Sequence, residues 1–166
     1  DMGAEVIRID KLSGSEDRYL VPVAESGEGP LFLALNRNKK SLTLNPMKPK
    51  GREIVENLVK TADIVIANLP QPTLEAMGID YDSLRAIKPD IILTTVTAYG
   101  NGGPYSERVG FDGVAQALAG ATYMGGRPGD PMKSFVPFAD FGTATMAAFG
   151  TLSLIHISEP TRRNSI

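Results

Sequence analysis

The chain has no cysteine and no tryptophan, and only one histidine among its 166 residues. Without cysteine it forms no disulfide bond and offers no thiolate ligand to a metal ion. No continuous apolar run approaches the roughly 18 residues of a membrane-spanning helix, and no signal-peptide pattern opens the chain. Neither sign of charge dominates, since the formal net charge is -2, which gives no electrostatic case for nucleic acid. We therefore expect a soluble, cytoplasmic domain that binds neither a membrane nor a nucleic acid.

The sequence does contain enough apolar residues for the core of one domain, because 42% of residues are hydrophobic and 22% are charged. Short β-branched runs alternate with amphipathic segments, and polar, glycine-containing loops are predicted at 11–30 and 120–130. This alternation is typical of an α/β fold with an open, Rossmann-like, mostly parallel sheet and flanking helices. The predicted strands are 5–10, 41–45, 63–68 and 91–97, and the predicted helices are 52–61, 73–77, 82–87, 112–118 and 143–149.

Both ends of the chain depart from this pattern. The sequence begins beside the first predicted strand, with no helix or strand before it, so we expect truncation at the N-terminus as well as at the C-terminus. Residues 152–162 resemble an in-frame translation of a sequencing adapter. We therefore expect residues 152–166 to be non-native and exclude them from fold reasoning. The one histidine, His156, lies in this segment, which leaves the remaining chain without histidine acid–base chemistry.

The ends of the predicted strands indicate where a ligand would bind. In open α/β sheets, ligands lie beyond the carboxyl ends of the strands, which here are residues 10–11, 45–47, 68–70 and 98–100. The loop at 100–104 is rich in glycine, but it has neither the lysine of a phosphate-binding P-loop nor the spacing of a dinucleotide fingerprint. A plain turn is therefore favoured there. The basic run 36–40 is a candidate anion site, although most charge runs are solvated faces.

Asp140 has the most unusual setting of the acidic residues. It follows the apolar segment 135–138, which we predict to be extended and buried, and it precedes a helix of small residues with almost no charge. An aspartate placed there either caps the helix by accepting amide protons of the first turn or is a reactive carboxylate at the positive end of the helix dipole. The residues by themselves favour the cap.

Eight segments in a fixed order resemble the family III CoA-transferases, the group that includes formyl-CoA and carnitine CoA-transferases. Together they cover essentially all of residues 1–151, and the ordered set is far more specific than any one piece. The segments are 3–10, 36–41, 62–68, 77–81, 88–92, 99–105, 110–117 and the run around Asp140.

The resemblance implies a fold, a reaction and a set of site residues. Residues 1–151 would be part of the large, CoA-binding domain, and Asp140 would match the catalytic aspartate that passes through a mixed anhydride and an aspartyl-CoA thioester. Coenzyme A and acyl-CoA would be substrates, with no permanently bound cofactor and no metal, and the full-length parent would be an interlocked homodimer. Because Ala76 stands where some members carry an arginine, Lys39, Lys40 or Arg108 is expected to compensate. The implied CoA-binding residues are Lys11, Leu44, Asn45, Met47, Asn68, Leu69, Pro70 and Arg108.

Two other functions remain open at this point. The first is an enzyme like α-methylacyl-CoA racemase, a branch of the same superfamily that resembles this chain but carries a histidine where Phe111 stands here. A phenyl ring cannot transfer a proton, which disfavours racemisation. The second is a non-catalytic CoA-binding module, which would keep the strand-end loops but would not need Asp140.

Overall fold

The computed structural model describes residues 3–20, 22–25 and 27–158, with only the backbone of Ser158. The chain divides after Val55 into two compact units. The elements in chain order are β1 (Ile7–Asp10), a 3₁₀ helix (Glu16–Tyr19), α1 (Pro30–Leu35), β2 (Lys40–Thr43), α2 (Pro49–Val59), β3 (Ile64–Ala67), α3 (Gln71–Met77), α4 (Tyr81–Ile87), β4 (Ile92–Thr95), α5 (Asp112–Leu118), α6 (Ala121–Met124) and α7 (Phe138–Ser158).

The first unit is built on a parallel pair formed by β1 and β2, in a register that runs from Ile7 opposite Lys40 to Asp10 opposite Thr43. The loop after β1 is held by Arg8, whose guanidinium donates hydrogen bonds of 2.8 Å to both carboxylate oxygens of Asp17. The same guanidinium lies 5.1 Å from the centre of the Phe32 ring. Segment 11–20 is therefore a folded loop tied to its strand by ion pairs.

The second unit is built on a parallel pair formed by β3 and β4, in a register that runs from Ile64 opposite Ile92 to Ala67 opposite Thr95. Helix α3 ends at Gly78, which takes the left-handed conformation (φ 68°) that favours glycine. Helix α4 begins at Asp80, whose carboxylate accepts a hydrogen bond from the Ser83 amide. The buried apolar side chains of this unit are Val59, Ala67, Leu74, Leu84 and Ile91.

The four predicted strands and the mixed α/β class are confirmed, and α5 has the predicted bounds. Three short helices were not predicted, and one of them, the 3₁₀ helix, lies inside the loop expected at 11–30. Helix α1 starts at a proline, a residue compatible with the first turn, and α6 lies inside the loop expected at 120–130. The prediction that segment 135–138 is extended and buried is wrong, because Phe135 is 97% exposed and α7 already begins at Phe138.

Helix α7 is much longer than the predicted helix 143–149, and residues 152–158 continue it without a break. Residues 159–166, the rest of the segment expected to be non-native, lie outside the described residues. By length and composition alone, Phe138–Ile157 is able to cross a membrane, with a mean hydropathy of 1.2 and 6% of the window buried. Sequence reasoning had found no segment near that length.

Candidate active site

Asp140 is the third residue of α7, so it lies inside the first turn of the helix and not at the capping position. Asp140 as a whole residue remains accessible to solvent, while its carboxyl is partly buried. Within the described residues, no group donates a hydrogen bond to its carboxylate, and the amide protons of the first turn are bonded elsewhere. The capping interpretation of Asp140 is therefore wrong, and its carboxylate oxygens are available to a ligand.

The acceptor that caps α7 comes from another helix. Asp112, the first residue of α5, is 6% exposed. Its Oδ1 accepts hydrogen bonds from the amides of Ala139, at 3.0 Å, and of Asp140, at 3.4 Å. A carboxylate is the preferred partner for free amide protons at a helix N-terminus. Asp112 thus performs the role that the sequence suggested for Asp140.

Gln116 connects Asp112 to the segment that leads into α7. It is 1% exposed and lies one turn after Asp112 on α5. Its Nε2 donates to Asp112 Oδ2 at 2.6 Å and to the Val136 carbonyl at 3.4 Å, while its Oε1 accepts from the Ser134 amide at 2.9 Å. Lys133 Nζ lies 3.8 Å from Asp112 Oδ2 and balances part of its charge. One buried amide therefore holds both Asp112 and the approach to Asp140.

The electrostatic setting of Asp140 opposes its ionisation. Partial burial of the carboxyl raises the pKa of Asp140 above the usual 3.8, and the negative charge of Asp112 raises it further. Desolvation and a neighbouring like charge both disfavour the carboxylate form. A carboxylate with a raised pKa and no hydrogen-bond donors is a stronger nucleophile than a solvated one.

In the first unit, the predicted CoA-binding residues come together at the ends of β1 and β2. The Leu44 amide donates to the Asp10 carbonyl at 3.1 Å, which places Lys11 and Leu44 at the ends of paired strands. Asn45 Oδ1 accepts from the Met47 amide at 2.9 Å and shapes a turn. Lys11 forms an ion pair with Glu16. A pocket of about 250 Å³ opens at this edge, lined by Asp10, Lys11, Leu12, Ser13, Gly14, Arg18, Tyr19 and Thr43.

Helix α2 approaches this turn closely at a glycine. Gly51 is buried in the first turn of α2, and a Cβ at this position would lie 1.9 Å from the carbonyl oxygen of Asn45. That separation is far inside van der Waals contact. The turn at 45–47 and the start of α2 therefore pack together only because position 51 has no side chain.

In the second unit, Asn68, Leu69 and Pro70 follow β3 directly, and Pro70 precedes the first residue of α3. Asn68 is exposed, and Leu69 and Pro70 are half-buried. Arg108 lies in the loop after β4, with its guanidinium 4.4 Å from the centre of the Tyr105 ring. Tyr105 in turn packs edge-on against Tyr99 at 5.8 Å.

The residues expected to compensate for Ala76 differ in what they contact. Lys40 forms a 2.7 Å ion pair with Glu5, and Lys39 donates to Asn36 Oδ1 at 3.2 Å. Arg108 is exposed and stacks on a ring, which leaves its guanidinium edge open to an anion. Across the described ranges, no group of three or more His, Cys, Asp or Glu residues is arranged to hold a metal ion.

Sequence reasoning assigned no role to Asp112 and Gln116. The available signal was weak: two polar residues spaced by four lie on one face of an otherwise apolar and small-residue helix. Their function depends on bonds to residues 134–140, which are 18 to 28 positions away in the chain. No local pattern encodes such a contact.

Comparison with known proteins places this geometry in a family. The model of CoA-transferase family III matches residues 1–163. The chain is 36% identical over 154 residues to human succinyl-CoA:glutarate CoA-transferase, covering 92% of this chain and 35% of that protein. It is 37% identical over 151 residues to succinate–glutarate CoA-transferase from Agrobacterium fabrum, covering 86% of this chain and 38% of that protein. A crystal structure of a CaiB/BaiF family protein from Brucella suis superposes with a TM-score of 0.89 at 36% identity, covering 97% of this chain and 44% of that one.

Proposed function

This chain belongs to CoA-transferase family III, and from that premise we propose that it moves CoA from an acyl-CoA donor to a carboxylic acid, with Asp140 as the nucleophile. The chain spans about two fifths of the length of the relatives it matches, so the proposal concerns the complete gene product. No permanently bound cofactor is required, because coenzyme A enters and leaves as part of the substrates.

The proposed reaction needs one carboxylate. Asp140 Oδ attacks the acyl carbon of the donor, the C–S bond breaks, and CoA leaves as a thiolate while a mixed anhydride forms. The thiolate then attacks the aspartyl carbonyl, which releases the donor acid and gives an aspartyl-CoA thioester. The acceptor carboxylate attacks this thioester, and the returning thiolate takes the acceptor acyl group and restores Asp140. Each tetrahedral intermediate requires amide donors for its oxyanion, and water must be excluded to protect the anhydride.

The observation that supports this role is the state of the Asp140 carboxylate. Asp140 lies in the first turn of a long helix, and the first amides of that helix donate to Asp112 instead. No described residue donates a hydrogen bond to the Asp140 carboxylate. Its pKa is raised by burial and by Asp112. A structural aspartate at a helix start would be expected to accept amide protons itself.

The proposal extends to substrates, binding residues and partners. Two relatives are named for succinyl-CoA or succinate and glutarate, so we propose dicarboxylic acids as the first substrates to assay. We propose that CoA is contacted by the residues that the resemblance implied and that the protein acts as a cytoplasmic homodimer, with residues 1–151 forming part of its large domain. The proposed contact residues are Lys11, Leu44, Asn45, Met47, Asn68, Leu69, Pro70 and Arg108.

Trapping the covalent intermediate tests the function. The complete gene product is incubated with succinyl-CoA and treated with hydroxylamine or borohydride, and peptides are analysed by mass spectrometry. We expect a hydroxamate or an alcohol at Asp140 and loss of both label and transfer in Asp140→Asn. Asp82→Asn is the matched control, since Asp82 is also an acidic residue in the first turn of a helix, α4. Transfer at the wild-type rate by Asp140→Asn would overturn the proposal.

The same preparations separate the two alternatives. A racemase would exchange the α-proton of a 2-methylacyl-CoA, which is followed by deuterium incorporation. Phe111, which precedes α5, carries no group that takes up a proton, so we expect no exchange. A non-catalytic module would bind CoA equally well with and without the Asp140 carboxylate and would show no transfer in either form.

A further inference from the structure

We propose that Gln116 and Asp112 are positioning residues for the Asp140 nucleophile: the buried Gln116 amide fixes Asp112, and Asp112 fixes the first turn of α7. The inference rests on the proposed function for its kinetic consequences, but its geometric part is independent of activity.

We call the side chains of Gln116 and Asp112 the clasp, and each of their polar atoms is already engaged in a hydrogen bond. Gln116 uses its Nε2 for Asp112 and the Val136 carbonyl and its Oε1 for the Ser134 amide. Asp112 uses Oδ2 for Gln116 and Oδ1 for the amides at the start of α7. Buried polar groups that lose a partner remain desolvated and unsatisfied, so neither residue can be changed alone without a rearrangement.

The clasp acts on the segment where the orientation of Asp140 is decided. Residues 134–136 are fixed to Gln116 just before α7 begins, and the first amides of α7 are fixed to Asp112. Phe135 between them is almost fully exposed, so side-chain packing does not hold this stretch. The two polar side chains therefore define the path of the chain into the nucleophile.

The clasp also sets the charge around Asp140. From α5 the charged group facing it is Asp112, and from the preceding loop it is Lys133, 3.8 Å from Asp112 Oδ2. Strand β4, which also packs on α7, contributes no titratable side chain among Ile92–Thr95. A negative charge moved from position 112 to position 116 lies farther from Asp140. The bonds to the Ala139 and Ser134 amides and the bond between the two side chains are retained, and only the 3.4 Å bond to the Val136 carbonyl is lost.

An exchange of the two side chains tests the proposal. In Asp112→Asn the new amide meets the Gln116 amide as donor against donor, and in Gln116→Glu two carboxylates meet. In the double variant, the amide oxygen introduced at position 112 still accepts from the Ala139 amide. The amide nitrogen at that position donates to the carboxylate introduced at position 116, which still accepts from the Ser134 amide. We expect each single variant to lose about 10- to 100-fold in kcat with little change in KM for acyl-CoA, as misplacement of a catalytic group does, and the double variant to regain most of that loss.

The pH profile and a direct titration complete the test. In the double variant, the acid limb of kcat/KM should move to lower pH, because the like charge beside Asp140 has been withdrawn. Titration of the ¹³C-labelled Asp140 carboxyl by NMR should show the same fall in pKa without any need for activity. Asp80→Asn is the control: Asp80 is also a buried aspartate at a helix start, on α4, and its loss should lower the melting temperature but leave the pH profile unchanged.

Three outcomes would overturn the inference: single variants with wild-type kcat, a double variant no more active than the single ones, or an Asp140 pKa that does not fall when the charge is exchanged. A double variant that does not fold counts against it as well, since the exchange retains the principal bonds. Absence of CoA transfer in the wild-type protein would instead refute the proposed function, and the NMR titration would still decide whether the clasp positions Asp140.

Discussion

At the scale of a single residue, the surroundings of Asp140 destabilise its ionised form. Burial and Asp112 both raise the pKa of Asp140. Ionisation of this carboxyl is therefore less favourable in the folded protein than in the unfolded chain. The positive end of α7 favours the anion, but the two opposing effects prevail. A group that costs stability in its working state is typical of active sites.

Neutralising Asp140 should therefore stabilise the fold while it abolishes transfer. A carboxyl whose pKa is raised on folding contributes stability that is present below its unfolded pKa and is lost as pH rises through the folded pKa. At neutral pH we expect Asp140→Asn to melt at a higher temperature than the wild type, and in acid the two should converge. Thermal unfolding followed by circular dichroism at both pH values checks this. A lower melting temperature for Asp140→Asn at neutral pH would restore the capping interpretation.

The pH dependence of the activity should also reflect the raised pKa of Asp140. Since only the carboxylate attacks the acyl carbon, kcat/KM should fall as pH drops through the pKa of Asp140, which lies above the usual 3.8. The measurement is the rate of CoA transfer from succinyl-CoA over the acid range in which the protein remains folded. An acid limb at or below the ordinary aspartate value would contradict the electrostatic role of Asp112.

At the scale of an element, the loop after β1 owes its form to ion pairs more than to apolar packing. Arg8 contacts Asp17, Asp10 and Asn36 and lies over Phe32. Arg18 contacts Asp10 and Glu28 and lies over the same ring at 4.1 Å. The fork of the guanidinium suits such multiple contacts, which a lysine would not reproduce. Lys11 begins this loop, so the cluster also orders one predicted CoA-binding residue.

Asp17→Asn should weaken the fold at neutral pH and have no effect in strong acid. The hydrogen bonds from Arg8 lower the pKa of Asp17 to about 2. This stability is therefore present above the unfolded pKa and is lost as pH falls toward the folded value. Because the side chain is 38% exposed, we expect a loss of about 1 kcal/mol, well below the full linkage value. Urea unfolding across the acid range measures it, with the exposed Asp90→Asn as control, and an equal loss at all pH values would contradict it.

The helices and strands also show which features of the fold could be predicted from the sequence. The strands were predictable because β-branched runs such as Ile64–Ala67 favour a strand locally. The burial expected of this strand is not observed at Ile66, which is 72% exposed. Helix α6 was missed because glycines flank its four residues. The exposure of Phe135 was missed because an apolar residue indicates burial only when something covers it. Asp140 was found through the family resemblance, whereas Asp112 and Gln116 depend on contacts between distant segments and required the structure.

At the scale of the whole molecule, many large apolar side chains of the described residues are exposed. Helix α7 exposes Met146 and Phe149, at 67% and 69%, and both lie on one side of the helix, three residues apart. Contiguous apolar patches of this kind mark surfaces that another part of a protein or a partner covers. The proposed homodimer would provide such a partner.

The chain of residues 1–166 by itself should accordingly be inactive and prone to aggregate. Sedimentation velocity should show polydisperse material, because the exposed face of α7 associates non-specifically. Substituting Met146→Lys and Phe149→Glu together should reduce aggregation without creating activity. Gln71→Lys with Asn57→Glu, at two exposed polar positions, adds the same two charges elsewhere and serves as the control for charge alone. A monodisperse and active preparation of the unaltered chain would contradict this prediction.

Because Gly51 has no side chain, this one residue determines whether the turn at 45–47 can pack against the start of α2. A single methyl group there would have to push the Asn45 carbonyl back by about 1.5 Å to reach ordinary contact. That displacement would pass along the turn to Met47, which, like Asn45, is proposed to contact CoA. Gly51→Ala is therefore expected to lower the affinity for acyl-CoA, although the substitution removes no atom that a substrate touches.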